Sequence, residues 1–303
     1  MLNNKKVIVR VAEGLGNQLF MYANGLALAK KNAATLYIDN ESGFFKKKNK
    51  LRFRKYDLDI FNTYIDICKS NNKFNTYPKD IKRKFLKMID LFSSRKSFLI
   101  EDINKISLFP NKSNDHNFNN TLYVEGHFES EKYFITLEED LKSSLIINKN
   151  LIDKNNKFIN SIKDSNSVSI HIRRHRFSEE KSKNSITNVR KSDEFTESII
   201  KYVNRSVNFF KKNVENPKFF IWSNDFSNLD IHFDNKNFTL VKNNDLATDF
   251  YLFSLSKHFI VGPSTFHWWG AWLNNSVGKI CVRPNNINPS NNDNFWPETW
   301  MKI

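Results

Sequence analysis

Apolar positions fall into two rhythms along this chain: short continuous runs, and longer stretches that recur at three- and four-residue steps. Lys5 to Val11 is a Val- and Ile-rich run of strand length that leads into the turn Glu13, Gly14, Leu15, Gly16. From Asn17 onward Leu19, Phe20, Ala23, Leu26 and Ala27 share one helical face, which predicts a helix with Asn17 as its N-cap. Thr35 to Asp39 predicts the next strand. Strand, turn, helix, strand opens a doubly wound α/β domain, whose ligands sit beyond the carboxyl ends of parallel strands.

The rhythm is lost between about Glu41 and Phe118, an irregular or helical insertion with a helix expected around Ile81 to Phe92. Order returns with the strand Val168 to Ile172, a polar loop and a long helix from about Asp193 to Asn213. Strands follow at Phe219 to Trp222, Thr239 to Val241, Phe259 to Val261 and Lys279 to Val282, with helices at Leu246 to Ser256 and Ser264 to Leu273. The polar, Asn-rich stretch Leu141 to Ser165 reads as a linker. The expected architecture is α/β: two Rossmann-like domains, residues 1–150 and 151–303, facing a cleft.

Composition agrees with a globule. With 28 Phe and six Trp in 303 residues, burial suffices for one large core or two ordinary ones, and only eight Gly and seven Pro exclude collagen-like or linker-like classes. Cys68 and Cys281 make no disulfide framework and no zinc spacing, which favours a reducing compartment. The apolar run near the amino terminus is shorter than a signal core, and no stretch reaches membrane-spanning length. Subtracting 32 acidic from 47 basic side chains gives +15, a sign that suits polyanionic partners. The surplus is mostly Lys spread through the chain, as in the Lys46 to Lys48 run, so it reads first as a solvated surface.

Four segments carry chemistry. Gly14 to Gln18 (GLGNQ) lets backbone approach a ligand ahead of a helix N-terminus, and reads equally as a plain turn. It lacks the third glycine of a dinucleotide fingerprint, Leu19 standing there. His171 to Arg174 (HIRR) puts two fork-shaped cations at a strand's end, where a phosphate or diphosphate is the natural guest. Trp222 to Asp225 (WSND) offers a carboxylate for a base or sugar, or an ordinary Asx turn. Gly262 to Trp272 (GPSTFHWWGAW) supplies Ser264, Thr265 and first-turn amides for an anion, with its tryptophans expected in helix packing. Asp57 and Asp59 mimic a DxD metal motif, a likeness read as chance.

Taken together, these segments resemble the alpha-1,2-fucosyltransferases of glycosyltransferase family 11. GLGNQLFMYANGLALA, RKYDLDIF, VEGHFESEKYF (Val124 to Phe134), SIHIRR and DFYLFSLSKHFIVGPSTFHWWGAWLN (Asp249 to Asn274) follow the family's motif order. The resemblance implies a GT-B-like fold, GDP-L-fucose as donor, inversion at the anomeric carbon, no cofactor and no metal. Carried over by motif, Arg173 would bind the diphosphate and support departing GDP, with His171 and Arg174 shaping its pocket. Ser264, Thr265 and Phe266 would add phosphate contacts, Gly14 and Gly16 donor contacts, and Asp225 a guanine or ribose contact. Asn17 would reach towards sugar and acceptor. Asp193 and Glu125 are the acidic candidates for the base. One departure stands out: the family usually continues HxRR with Gly-Asp, whereas this chain has His175 and Arg176.

The acceptor implied is a terminal β-galactoside of a cell-surface glycan, a lipopolysaccharide, lipooligosaccharide or O-antigen precursor. The expected location is cytoplasmic, with the positive charge holding the enzyme peripherally to an anionic inner-membrane face. Two other readings compete: a related glycosyltransferase using another GDP-sugar, and a basic non-enzymatic nucleic-acid-binding protein. Against the second, the chain has no nucleic-acid motif, and its paired Arg follow a strand rather than line a groove-sized helix.

Overall fold

The structure is a computed structural model, and it describes residues 5–47, 54–102, 118, 120–154, 156–178, 185–229, 232–233, 237–289 and 292–303. It divides into two compact units, Met1–Ile146 with Asn292–Pro297, and Ile147–Asn291 with Glu298–Ile303. A single boundary between residues 150 and 151 is expected from the sequence. The structure instead returns a late segment to the first unit, because Phe295 packs on Phe20 (centroids 6.3 Å apart) and Asn292 donates to the Glu129 carbonyl (2.7 Å). Short local patterns cannot reveal such a return.

The first unit runs β1 (Lys6–Arg10), α1 (Leu15–Lys31), β2 (Thr35–Asp39), α2 (Tyr77–Asp90), β3 (Phe98–Ile100), β4 (Thr121–Glu125) and α3 (Glu138–Ser144). Its four strands lie parallel in the order β2-β1-β4-β3. Val7, Ile8 and Val9 are buried on both faces of β1, the mark of a parallel sheet covered on each side. Gly25 lets α1 press on this sheet: a Cβ there would fall 2.2 Å from Val9 Cγ2. The helix starts at Leu15 with Gly14 as N-cap, so the expected cap, Asn17, sits inside the first turn and its amide donates to the Gly14 carbonyl (3.0 Å). Nor is Gly14 the residue that bends the turn. Gly14 is extended (φ −86°), and the left-handed conformation falls on Glu13 (φ 64°).

The second unit runs α4 (Phe158–Lys163), β5 (Asn166–Ile172), α5 (Ile186–Asn213), β6 (Pro217–Ser223), β7 (Phe238–Leu240), α6 (Leu246–Ser254), β8 (His258–Ile260), α7 (Thr265–Trp272), β9 (Cys281–Arg283) and β10 (Met301–Lys302). Six parallel strands take the order β10-β9-β8-β5-β6-β7. Strand β5 shows why VSIHI reads so clearly. Val168, Ile170 and Ile172 join the core formed with Ile199, Val203 and Phe210 of α5, whereas Ser167, Ser169 and His171 alternate onto the opposite face. Buried there, Ser169 Oγ donates to the Phe253 carbonyl (3.1 Å) and pairs with Ser256 Oγ (2.8 Å).

Several expectations shift. The stretch expected as a linker contains α4 and the end of α3, and it buries Leu141, Leu145, Ile147, Phe158 and Ile162. Helix α2 begins four residues before its expected start, with Thr76 as cap and Pro78 in its first turn. Strands β3, β4 and β10 were not read from periodicity, being short or lying in motifs taken for chemistry. Residues 103–117 of the expected insertion, and 179–184 of the loop after HIRR, lie outside the described residues. Trp268, Trp269 and Trp272 are buried, as expected of helix packing, and both cysteines are free and buried.

Gly25→Ala should destabilise the protein by about 1–3 kcal/mol, because α1 must move off a β-branched neighbour. Urea unfolding of the variant beside wild type measures this.

Candidate active site

In the second unit β5 lies between β6 and β8, so the chain order reverses at β5 and opens a crevice at the carboxyl ends of β5 and β8. Arg173 and Arg174 leave the end of β5 here, and Ser264, Thr265 and Phe266 leave the end of β8. Ser264 caps α7, its Oγ accepting from the His267 amide (3.5 Å) and lying 3.1 Å from His267 Nδ1. The first-turn amides of a helix have no intrahelical acceptor, so α7 directs positive potential to the edge that carries both arginines. The sequence-predicted cations and the predicted anion cradle therefore share one sheet edge.

Beneath them lies a pair that sequence reasoning missed. The rings of His171 and His267 stack at 3.9 Å with an interplanar angle of 19°. Burial, then the charge of Arg173, push His171 down to about 3 against a hydrogen bond that the ring donates to the Gly262 backbone. Burial likewise holds His267 well below its usual value, helped by His171 and Arg173. Both imidazoles are neutral at pH 7, and so add no charge to the edge that carries Arg173. Gly262 permits the close turn: a Cβ there would meet the His171 carbonyl oxygen at 2.7 Å and His171 Nδ1 at 2.9 Å. The signal that could have found His267 was its place three residues after the capping serine.

Asp225, expected to meet a base or ribose, is instead the knot of its loop. Its Oδ1 accepts from the Ser227 amide (2.9 Å) and hydroxyl (2.7 Å), an Asx turn. Its Oδ2 meets His175 Nε2 (2.7 Å) and Arg174 Nη1 (3.3 Å). Burial alone would raise this carboxyl, and the Ser227, His175 and Arg174 contacts outweigh it and hold it well below the usual range. Arg174 also donates its amide to Asn224 Oδ1 (2.8 Å) and its guanidinium to the Ser227 carbonyl. The unusual His175 fits this network. It sits at φ 54°, where glycine is at ease, and its hydrogen bond with Asp225 offsets a strain of order 1 kcal/mol. Arg176 lies over the Phe195 ring (5.5 Å).

Asp249, at the head of the DFYLFSLSK segment, is a second carboxyl that sequence reasoning left out. Burial lifts it to about 6 against the Asn244 hydrogen bond (3.0 Å), with Asp245 adding to the rise. Phe250 beside it packs edge-on against Phe266 at 5.2 Å, which sets the first turns of α6 next to the start of α7. An acid leading an otherwise apolar helix was the legible sign.

In the first unit, fully buried Gln18 ties two of the motifs together. Its Nε2 donates to the carbonyls of Glu13 (3.0 Å) and Lys55 (2.7 Å), and its Oε1 accepts from the Asp57 amide (2.9 Å). GLGNQ and RKYDLDIF thus form one edge, with the Arg54 guanidinium against Gly14, Gly16 buried in the helix and Asn17 half-buried. Past the end of β2, Asn40, Glu41, Phe44, Phe45, Tyr56 and Asn75 line a cavity of about 230 Å³. Buried Lys73 braces it, reaching Asn40 Oδ1 (2.8 Å) and Glu41 Oε1 (2.6 Å). Glu125 is already engaged by Arg83 (2.6 and 2.7 Å) and Lys87 (2.7 Å). Burial would raise its pKa, but those cations lower it on balance, so it is a poor proton acceptor. Asp193 is exposed on α5. Among the described residues no group of three or more His, Cys, Asp or Glu gathers as for a metal ion.

Two parallel α/β units, the second with a cationic crevice at its strand-order reversal, place an anion-binding edge where doubly wound folds take their ligands. Residues 6–303 match Glycosyl transferase family 11, and the chain belongs to that family. It is a glycosyltransferase. It is 28% identical to the alpha-1,2-colitosyltransferase of Escherichia coli, over 98% of each chain. It is 24% identical to the O-antigen biosynthesis glycosyltransferase WbnK of Escherichia coli, covering 96% of this chain and 98% of that one. The fold is that of the GT-B fucosyltransferases: Arabidopsis thaliana FUT1, solved in complex with GDP, superposes with a TM-score of 0.55 at 13% identity over 98% of this chain and 76% of that one.

The neutral histidine pair makes stability fall with acid. Unfolded histidine binds a proton near about pH 6.5, whereas folded His171 refuses it until about 3, so the unfolded state gains as pH drops through that window. Urea midpoints should decline between about pH 7 and about pH 5, and His171→Phe should flatten the decline.

Proposed function

We propose that this enzyme transfers L-fucose from GDP-L-fucose to C2 of a terminal β-galactoside, with inversion, forming an α-1,2 linkage in an O-antigen or related glycan precursor. The observation that carries the reading is the convergence of Arg173 with the α7 N-terminus at the β5/β8 crevice, a site built for a leaving diphosphate. Membership of family 11 and the O-antigen relative support the substrate class. In the reaction the acceptor O2–C1 bond forms as the bond from C1 to the phosphate oxygen breaks. Arg173 and α7 take up the charge that develops on that oxygen, and Arg174, held by Asp225, shapes the pocket. Asp249 rather than Asp225 is the carboxylate suited to the guanine edge, since Oδ1 of Asp225 is engaged by Ser227 and Oδ2 by His175 and Arg174 of the loop after β5.

The first unit takes the acceptor side. Its cavity combines aromatic faces, Phe44, Phe45 and Tyr56, with the amides of Asn40 and Asn75, the mixture that holds a sugar ring. Asn17, on the helix that opens that unit's edge, is proposed to contact sugar or acceptor. With Glu125 engaged by two cations, the acceptor proton goes to the departing diphosphate or to Asp193. A second donor is favoured by one finding: the colitosyltransferase relative points to GDP-colitose, whose sugar is the 3-deoxy analogue of L-fucose.

Turnover with GDP-fucose, GDP-colitose, GDP-mannose and UDP-galactose, β-galactoside acceptors and EDTA present should give an α-1,2-linked product by NMR. A product made only from colitose selects the second donor, and one made only from mannose or a UDP-sugar overturns both. Arg173→Ala should lower kcat by about 10²- to 10³-fold, as loss of a charge-stabilising donor does. Asp225→Ala should act mainly on the donor's KM, raising it roughly tenfold through a loosened Arg174.

A further inference from the structure

Helix α2 is amphipathic in the wrong direction for a packed element. Its buried residues are Asp80 and Asp90. Its inward side is ionic: Arg83 bonds Asp80 (2.7 Å) and Glu125 (2.6 Å), and Lys87 bonds Glu125 (2.7 Å). Tyr77, Ile81, Phe85, Met88, Ile89 and, just past its end, Phe92 point out, from 49% exposed at Ile89 to 89% at Phe92. The long helix α5 does the opposite, burying Ile199, Tyr202, Val203 and Phe210. At about 100° per residue the six side chains fall within roughly a third of the circumference. Exposed Lys84 and Lys82 stand at the two borders of that arc.

Both acids of α2 are buried, so its exposed surface presents only apolar and neutral or cationic groups. An apolar stripe edged by lysines, on a helix of polar average composition, matches a helix lying in the boundary between lipid headgroups and acyl chains. The long lysine side chains can place their aliphatic stems on the stripe and their ammonium groups among phosphates. A second copy of the same face would bring like charges together along both borders, whereas an anionic bilayer complements them. No helix among the described residues is long and apolar enough to cross a membrane, so an attachment through α2 would be peripheral.

We propose that the outward face of α2 anchors the enzyme to an anionic lipid surface, with the apolar side chains inserted and Lys82 and Lys84 at the phosphates. The test is flotation with vesicles of phosphatidylcholine, alone or mixed with phosphatidylglycerol. Wild type should float with the anionic vesicles and not with the neutral ones. Ile81→Glu with Phe85→Glu, and separately Lys82→Glu with Lys84→Glu, should each reduce the bound fraction by at least about tenfold. Because these positions are exposed, unchanged circular dichroism and thermal unfolding confirm that the variants remain folded. A Phe85→Trp reporter should shift its emission to the blue on anionic vesicles alone. Wild type that ignores anionic vesicles overturns the proposal, as does an apolar-face double variant that floats as well as wild type. A dimer dissociated by the Ile81→Glu and Phe85→Glu pair, without vesicle binding, would assign the face to a second copy and likewise overturn it.

Discussion

The closeness of Gly262 to β5 is the constraint on which the second unit's site rests. With no side chain at that position, the turn after β8 can lie against the His171 carbonyl, and α7 begins beside the end of β5. Any larger residue would push the turn outward, separating the α7 amides from Arg173 and opening the stacked imidazoles to water. The histidines follow from the same closeness. Packed at 3.9 Å near the charge of Arg173, with His171 buried and His267 partly so, they are stable only without charge, which leaves the positive potential of the edge to the arginine and the helix.

Gln18 has the corresponding place in the first unit, although its means are different. Its three hydrogen bonds tie the β1–α1 turn to residues 55–57, so a segment without regular secondary structure becomes a fixed wall. A neutral amide suits this task, since it satisfies carbonyls and an amide at once and brings no charge into a fully buried position. The cavity beyond β2 inherits that order through Tyr56, while Lys73 and Glu41 brace its other side.

Much of this was legible in the sequence, for reasons that differ by element. The strand at VSIHI, the helix after GLGNQ and the capped start of α7 announce themselves because buried strands and capped helices restrict side-chain types locally. The family motifs add order over long distances that no local pattern holds. What the sequence hid was mostly a matter of partners. That Asp225 would meet His175 and Arg174 depends on two loops fifty residues apart, and that Glu125 would be held by Arg83 and Lys87 depends on the insertion. Strand β10 has two residues, both exposed, and no periodicity could show it. Helix α2 is expected as a helix without an assigned face, and its buried side proves ionic, the reverse of the usual arrangement.

The late segment Asn292–Pro297 orders events in time as well as in space. Phe295 fills a place against Phe20, and Asn292 and Asn294 hold Glu129 and Lys132. A ribosome delivers those residues only after all of β5 to β9, so the unit encoded first has a gap in its core until nearly all of the second has been made. The amino-terminal unit is thus closed only near the end of synthesis, just before β10 completes the other sheet, and a chain released early would leave it exposed to chaperones and proteases.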